Sequence, residues 1–366
     1  MRLISFLSNR CSSAKALIVV GSLLVSATVV HAQSADTEVL ASYYNKGVQP
    51  GLAMFAGTAQ ELSDSAEQFC ANPDQKSLQQ AQDAWRESYM AWCRAAPFTF
   101  GGDGDLGLEK SIEQWPINET IIALLISGGI KEEKRITVGR SNDLRGYGGV
   151  EYILFAAGSP KEAATSTGCS HLLEITDELS VKAAKVQQEW EQDFKEKFLS
   201  AGNGKPFLLT SDALGLAVGR ALNVVEIMLA QDIGLTSNFF QGDARPHYIP
   251  AWRSKSSSDA FRASLEGLRL ALDGTGDASI LKLVATRDGI YFKKNPGLAR
   301  DIRKQLAKVE KAVAALGDDD LYKKLQDKPN MLKPLYKQLQ TLQTLIVEAA
   351  LVLELDIRTP LEGRFK

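Results

Sequence analysis

Residues 333–355, KPLYKQLQTLQTLIVEAALVLEL, decide the fold class of this chain. Apolar residues recur in this stretch at alternating intervals of four and three positions, which is the spacing of one face of an α-helix. The positions are Leu335, Leu339, Leu342, Ile346, Ala349 and Leu353. A helix with such an apolar seam buries it against neighbouring helices, so the stretch predicts one helix of a bundle.

The same spacing recurs through most of the chain, and no convincing period-two strand interrupts it. It predicts long helices over about 52–69, 78–92, 170–194, 214–228 and 298–316, and shorter ones over 150–157 and 258–272. A further helix is predicted over 112–126, where Pro116 can interrupt it, and residues 233–255 are predicted to be a long loop. The predicted fold class is therefore all-α.

The clearest break in the pattern is the sequence GNGKP at residues 202–206. Glycine and proline in such a cluster interrupt helices. The chain has 366 residues, and single hydrophobic cores rarely exceed about 250–300 residues. We therefore predict two helical bundles packed against each other, an N-terminal one over residues 33–204 and a C-terminal one over residues 205–366.

The composition excludes several classes of protein. Hydrophobic residues make up 45% of the chain and charged residues 23%, which is typical of a globular protein and excludes a disordered or low-complexity one. The formal net charge is −2, and no basic stripe is present, so we predict no binding to nucleic acid.

The first 32 residues have the features of a cleaved secretory signal peptide. Arg2, Arg10 and Lys15 precede an apolar run over residues 16–30, and Ala32 supplies a small residue for cleavage. The run is shorter than the roughly 20 residues that a membrane-spanning helix needs, which disfavours the alternative of an anchor. Cys11 lies before the run, so we predict a periplasmic protein that is not a lipoprotein, with no transmembrane segment in the mature chain.

The chain after residue 32 contains three cysteines, namely Cys70, Cys93 and Cys169. Cys70 and Cys93 end two successive helices that we expect to be antiparallel, so roughly 17 residues at about 1.5 Å each separate them. A disulfide needs Cα atoms within about 7 Å, which disfavours a Cys70–Cys93 bond. Either cysteine can pair with Cys169, and three buried thiols are the alternative.

No familiar catalytic motif is present, but one glycine-rich segment stands out. The chain lacks His-Glu-x-x-His, Gly-x-Ser-x-Gly, a phosphate-binding glycine loop and paired zinc cysteines. The segment RGYGGVEYILF over residues 145–155 places three glycines just before a predicted helix. Glycines in this pattern bring the backbone close to another group, and Glu151 is expected in the first turn of that helix, where a carboxylate is favoured.

Several short motifs, in their order along the chain, resemble the imelysin-like proteins of bacterial envelopes. The hallmark of that family is Gly-x-His-x-x-Glu at the start of a helix, to which Gly146, Gly148 and Glu151 align, so that Gly148 stands in the place of the histidine. The other matching motifs are Gln68-Phe69-Cys70 followed by Pro73, Ala84-Trp85, Phe98-Thr99-Phe100-Gly101 and Gln114-Trp115-Pro116. Together they cover residues 48–158, and a looser match follows.

The resemblance implies two four-helix bundles with a functional site at their interface, and a role in bacterial iron uptake. It implies iron or another divalent metal as the cofactor class, with Glu151 as a metal ligand, and envelope components of iron or haem transport as partners. The candidate ligand-binding residues are Glu151, Tyr147, Gly146, Gly148, Glu113, Trp115, Arg220 and Glu226. For Arg220 and Glu226, an ordinary contact between helices or at the surface is the alternative.

The glycine at position 148 bears on the choice between functions. A catalytic zinc needs about three protein ligands and an activated water, and glycine supplies no ligand. We therefore predict a non-catalytic binding or accessory protein in iron or haem acquisition, with no catalytic residues. The alternatives are a metal-dependent peptidase of the imelysin type and a degenerate paralogue with a structural role.

The same position suggests a reconstruction experiment. A histidine at position 148 would lie three residues before Glu151 and share a helix face with it. The sequence therefore predicts that Gly148→His binds zinc or iron(II) more tightly than the natural chain, with a modest loss of stability.

Overall fold

The computed structural model describes residues 35–101, 111–204, 206–239, 242–274, 276, 278–317 and 320–357. Every regular element in these ranges is a helix, and none of the described residues lies in a strand. The predicted all-α fold class is therefore confirmed. The predicted signal peptide lies outside the described residues.

The N-terminal half contains seven helices within the described ranges, three of them long. They are α1 (35–71, with a π-helical turn at Tyr44–Val48 and regular helix over Gln49–Ala71), α2 (Gln75–Ala95), α3 (Glu119–Ile126), α4 (Glu132–Gly139), α5 (Gly146–Ala156), α6 (Pro160–Ala163) and α7 (Ser166–Glu189, continued by Trp190–Phe194 and Lys195–Leu199). The long helices α1, α2 and α7 pack together, and α5 lies against α2 and α7. Phe55, Trp85 and Leu179 are among the side chains buried between them.

The C-terminal half contains a further seven helices within the described ranges. They are α8 (Thr210–Ile227, continued by Met228–Leu235), α9 (Ser257–Asp273), α10 (Ile280–Thr286), α11 (Ile290–Lys294), α12 (Leu298–Ala314), α13 (Leu321–Asp327) and α14 (Lys333–Val352). The helix α14 buries its apolar seam, from Leu335 to Leu353, mainly against α12 and α8.

The two halves are closely packed. The helix α9 of the C-terminal half lies along α2 of the N-terminal half, and Gly267 of α9 meets the backbone of Arg94 there. An added Cβ at Gly267 would lie 2.1 Å from the Arg94 carbonyl oxygen, so the two backbones are in direct contact. Buried side chains from both halves form one continuous cluster. The division at residues 204 and 205 stays a prediction.

One described helix, Thr210–Leu235, is long and apolar enough to cross a membrane by length and composition. However, 78% of its apolar window is buried inside the protein. A central helix of a closely packed bundle has the same composition, because all its faces contact other helices.

Three predicted boundaries differ from the structure. The helix predicted over 112–126 is interrupted at residues 113–118, where the Trp115–Pro116 peptide bond is cis. The helix predicted to end near Met228 continues to Leu235 because Ile233 and its apolar neighbours are buried, so the predicted loop begins later. The helix predicted to begin near Val150 begins at Gly146, which places Glu151 in its second turn rather than its first.

The cysteine geometry resolves the open alternatives. Cys70, near the end of α1, forms a disulfide with Cys169, near the start of α7, with a Cα–Cα distance of 5.7 Å. The bond joins residues 99 positions apart and ties two of the long helices together. Cys93 is a buried free thiol on α2.

Candidate functional site

The glycines of α5 allow this helix to lie directly against the segment of residues 111–117. Gly146 has a φ of +61° at the first position of the helix. An added Cβ there would lie 2.3 Å from the carbonyl oxygen of Ile112. The glycines are therefore required by a contact with distant backbone, and they belong to the helix rather than to a turn before it.

Gly148 has no room for a side chain. An added Cβ would lie 2.6 Å from Cγ2 of Ile117 and 2.8 Å from the carbonyl oxygen of Gln114. Gly148 is not among the positive-φ glycines, so packing alone excludes a side chain there. The side chains of Ile117 and Trp115 and the carbonyl oxygen of Gln114 occupy the space into which a histidine would extend.

The carboxylate of Glu151 is completely buried and is held by a loop of the C-terminal half. The backbone N–H and the hydroxyl of Ser254 both donate to Oε1 of Glu151, each at 2.9 Å. These bonds join residues 103 positions apart in the sequence. The second oxygen, Oε2, and the indole Nε1 of Trp115 are buried, and neither completes a hydrogen bond within the described part of the chain.

Opposing influences act on the protonation of Glu151. Burial raises the pKa of this carboxyl, because a charge is costly away from water. The two donors of Ser254, the charge of Arg253 and the indole of Trp115 act in the other direction, but burial is the largest influence and the pKa remains raised.

Arg253, next to Ser254, is held between aromatic rings. Its guanidinium lies 4.0 Å from the ring centre of Trp252 and 4.9 Å from that of Tyr152 on α5. It also forms an ion pair of 2.6 Å with Glu119, the first residue of α3. The loop of residues 251–256, which we name the Ser254 loop, is therefore attached to α3 and α5 by charge as well as by hydrogen bonds.

Glu113 lies in the interrupted segment after residue 112 and contacts α2. The hydroxyl of Tyr89 donates to its Oε1 and the indole Nε1 of Trp92 donates to its Oε2, both at 2.7 Å. Two donors on one helix fix the direction of this carboxylate.

A small cavity lies beside Glu113, between α2, α8 and α9. It is partly open to solvent and has room for about one water-sized group, and we name it the acid cavity. Its lining residues are Tyr89, Cys93, Glu113, Asp232, Pro250, Ser257, Ala260, Phe261 and Ser264. Two carboxylates, one from each half of the chain, thus face the same enclosed space.

The groups of the acid cavity affect one another electrostatically. Burial and then the negative charge of Glu113 raise the pKa of Asp232 well above its ordinary value. Burial, followed by the charges of the same two carboxylates, also raises the pKa of the Cys93 thiol. Neutral forms of Asp232 and Cys93 are favoured, and a proton or a cation placed in the cavity would relieve the repulsion.

Tyr147 is fully buried against α2. Its hydroxyl donates to the carbonyl oxygen of Ser88 at 3.0 Å and lies 2.7 Å from the Ser88 hydroxyl. Its ring packs against Trp85 and Tyr89. The structure therefore places this predicted site residue in the core between α5 and α2.

The predicted residues of α8 take part in contacts between helices. Arg220 donates to the Ala96 carbonyl oxygen and, at 2.7 Å, to the Thr99 hydroxyl, and so ties α8 to the end of α2. Oε1 of Glu226 accepts a hydrogen bond of 3.3 Å from Gln343 on α14. These contacts match the inter-helix alternative considered for both residues.

Sequence reasoning missed Asp232 and Ser254. Asp232 had a signal, because it is an acid inside the apolar stretch IMLAQDIGL at residues 227–235. Ser254 had none, since only the folded chain brings it to Glu151.

The residues at the family motif do not fit a metal ion. Position 148 offers no side chain and no space for one, and Oε1 of Glu151 already accepts two hydrogen bonds from Ser254. Within the described ranges, no three His, Cys, Asp or Glu side chains come together as a metal site. The histidines in the described ranges make other contacts: a ring nitrogen of His171 hydrogen-bonds the Leu144 carbonyl oxygen at 2.9 Å, and His247 packs on Tyr248.

Two solved structures share this fold. A protein named "putative iron-regulated protein A precursor" from Parabacteroides distasonis matches with a TM-score of 0.70 and 17% identity, over 88% of this chain and 95% of its own. An imelysin-like protein from Psychrobacter arcticus matches with a TM-score of 0.66 and 19% identity, over 88% of this chain and 98% of its own. No curated protein sequence matches the chain.

The family comparison agrees with the resemblance seen in the sequence. The model of the peptidase M75 family, described as imelysin, matches residues 48–347, which is most of the chain. The match extends from α1 to α14 and includes α5. The chain therefore belongs to the imelysin family.

Proposed function

We propose that this chain is a non-catalytic binding or accessory protein of the bacterial periplasm that acts in iron or haem acquisition. The iron-related part is supported by family membership and by the name of the Parabacteroides distasonis protein. The predicted signal peptide supports the location.

The observation that carries the non-catalytic part is the packing around Gly148. A hydrolytic metal centre needs about three protein ligands and an open position for water. In this chain the histidine position is filled by the Ile117 side chain and the Gln114 carbonyl oxygen, and one oxygen of the glutamate is engaged by Ser254. Position 148 therefore supplies no ligand for the chemistry that the family motif suggests.

The acid cavity is the ligand position that the proposal favours, and Glu113 is the predicted site residue that reaches it. Carboxylate oxygens are donors that hard cations such as iron(III) prefer. Glu113 and Asp232 supply two such groups from the two halves of the chain. The cavity has room for about one water-sized group, so the ligand there would be a single small cation held by these carboxylates.

The test is growth of a strain that lacks the gene. Under iron depletion we expect slower growth, which the full chain restores and a version without residues 1–32 does not. Normal growth under iron depletion would contradict the iron-related proposal and favour a degenerate structural paralogue.

A second assay addresses the peptidase alternative. Highly purified protein is incubated with an unfolded polypeptide, with and without a chelator. We expect no cleavage. Cleavage that the chelator abolishes and that Glu151→Gln also abolishes would establish a peptidase, because a contaminating protease would not depend on Glu151.

A further inference from the structure

The Ser254 loop has an unusual backbone that requires support. Ala251 has a φ of +58° and Lys255 a φ of +60°, and both are residues for which the left-handed region is unfavourable. The loop is closed internally by a hydrogen bond of 2.9 Å from the Ser256 N–H to the Ala251 carbonyl oxygen. Between these positions, the N–H of Ser254 points out of the loop to Glu151, and the Ser254 hydroxyl lies 2.9 Å from Oε1 of Glu151 and 3.0 Å from the Ala251 carbonyl oxygen within the loop.

The loop leads directly into α9, which begins at Ser257. The first two turns of α9 supply Ser257, Ala260, Phe261 and Ser264 to the acid cavity, and Pro250 just before the loop supplies another part of the lining. The position of the loop therefore determines where this wall of the cavity lies relative to Glu113 and Cys93.

We propose that Glu151 is a positioning residue: its carboxylate fixes the Ser254 loop against α5 and thereby sets the α9 wall of the acid cavity. The glutamate that the family motif offers as a metal ligand serves, in this chain, to hold the two halves together beside the cavity. The proposal concerns the shape of the cavity and not the identity of its ligand.

Cys93 provides a direct readout, because its buried thiol lines the acid cavity. The experiment uses the full chain with Cys11→Ser, in which Cys70 and Cys169 are disulfide-bonded and Cys93 is the remaining thiol. Its alkylation by iodoacetamide is measured under native conditions. In Glu151→Ala we expect alkylation roughly 10- to 100-fold faster, the range that corresponds to the loss of buried hydrogen bonds to a charged group.

Graded variants separate positioning from simple loss of the side chain. Glu151→Gln retains an acceptor oxygen for both donors of Ser254, so we expect a smaller increase than in Glu151→Ala. Ser254→Ala removes one of the two donors, and we expect an intermediate increase. The double variant Glu151→Ala/Ser254→Ala is expected to be at most slightly faster than Glu151→Ala, since both changes break the contact between these residues and Ser254→Ala alone also removes the bond to the Ala251 carbonyl oxygen.

Asp36→Asn is the matched control. Asp36 is also a buried carboxylate that joins distant elements, because it accepts hydrogen bonds from Arg287 and from Thr210 at the start of α8, but it does not line the acid cavity. In Asp36→Asn, we expect the alkylation rate of Cys93 to change only by the amount that the loss of global stability explains. Equal acceleration in Asp36→Asn and Glu151→Gln, at matched stability, would overturn the proposal.

A metal-binding measurement distinguishes a positioning role of Glu151 from a role as a metal ligand. Calorimetry with zinc chloride, and with iron(II) under anaerobic conditions, is expected to give the same result for the natural chain and Glu151→Gln. If Glu151→Gln weakened metal binding and left Cys93 alkylation unchanged, Glu151 would be a ligand and the positioning role would be wrong. Should Glu151→Ala fail to fold, Glu151→Gln and Ser254→Ala decide the question on the same readouts.

Discussion

Two groups of acidic side chains lie beside one another in this protein, and their surroundings differ. Around Glu151, the N–H and hydroxyl of Ser254 converge on one oxygen, and the positive charge of Arg253 lies nearby. Around Asp232, burial is joined by the negative charge of Glu113 across a cavity. The protein supplies donors to one oxygen of the first carboxylate, whereas the second pair carries a repulsion that a ligand or a proton would relieve.

This difference shows how the polar groups around α5 are committed. The glycine at position 148 meets the Ile117 side chain and the Gln114 carbonyl oxygen, and Glu151 makes a contact with Ser254. The second pair of carboxylates lies at the junction of α2, α8 and α9, where it lines the acid cavity.

The largest expected effect concerns the disulfide that supports the helices packed against α5, which carries Glu151. The helix α5 packs on α7, and the Cys70–Cys169 disulfide ties α7 to α1 across 99 residues. We expect Cys70→Ser/Cys169→Ser to lower the free energy of unfolding by about 4 kcal/mol, because the bond limits the unfolded chain. The measurement is denaturant unfolding at fixed pH.

Two further conditions sharpen this prediction. The natural chain in reductant should have the same free energy of unfolding as the double variant. Cys93→Ala should lose as much stability when reductant is added as the natural chain does, because Cys93 is not part of the disulfide. A loss below about 1 kcal/mol would mean that packing alone holds α1 and α7 together and that the disulfide adds little stability.

The next effect tests whether packing excludes a side chain at position 148. We expect Gly148→Ala to lower the free energy of unfolding by about 1–3 kcal/mol, because the added methyl overlaps Ile117 and the Gln114 carbonyl oxygen. Gly57→Ala in α1 is the matched control, since nothing lies within 4 Å of the added Cβ. There we expect a gain of about 0.5–1 kcal/mol from helix propensity.

The same packing changes the expectation for Gly148→His. The sequence predicts a modest loss and tighter metal binding, but the imidazole has no space unless Ile117 and the Gln114 carbonyl group move. We now expect a greater loss of stability than in Gly148→Ala, measured by denaturant unfolding, and no gain in zinc affinity by calorimetry. A folded Gly148→His protein with tight zinc binding would show that the segment can open.

The helices could be predicted from the sequence because their apolar periodicity reflects a local geometric constraint. The seam of α14 and the two long helices joined at Pro73 lie where the spacing placed them. The start of α5 was missed because a glycine-rich run resembles a turn. Two of these glycines, Gly146 and Gly148, are instead required by contact with residues about 30 positions earlier, which local patterns do not record.

The candidate site was harder to predict for the same reason. Glu113 was named because of a motif, but its partner Asp232 comes from the other half of the chain and appears in the sequence only as one acid in an apolar stretch. The partner of Glu151 is a serine that resembles any other serine until the chain has folded. Contacts between elements far apart in sequence leave little trace in local spacing.

The smallest effect addresses the repulsion in the acid cavity. Because the pKa of Asp232 is raised in the folded state, the folded chain retains a proton that the unfolded chain releases. Stability from this group is therefore complete below the ordinary pKa of an aspartate and is lost as the pH rises through the folded-state pKa. Tyr89, Cys93 and Glu113 are the titratable groups that face Asp232 across the cavity, and Glu113 is the one that raises its pKa by charge.

We therefore expect Asp232→Asn to raise the free energy of unfolding by about 1 kcal/mol at pH 8, because the variant removes a buried charge and its repulsion with Glu113. The gain should shrink toward zero at pH 4, where Asp232 is protonated in the folded chain. Asp83→Asn, at an exposed position on α2, should change stability by less than about 0.5 kcal/mol at either pH. The measurement is thermal unfolding of the three proteins at pH 4, 6 and 8. A loss of stability in Asp232→Asn at pH 8 would mean that the Asp232 carboxylate is stabilised like that of Glu151, and the contrast between the two acidic groups would no longer hold.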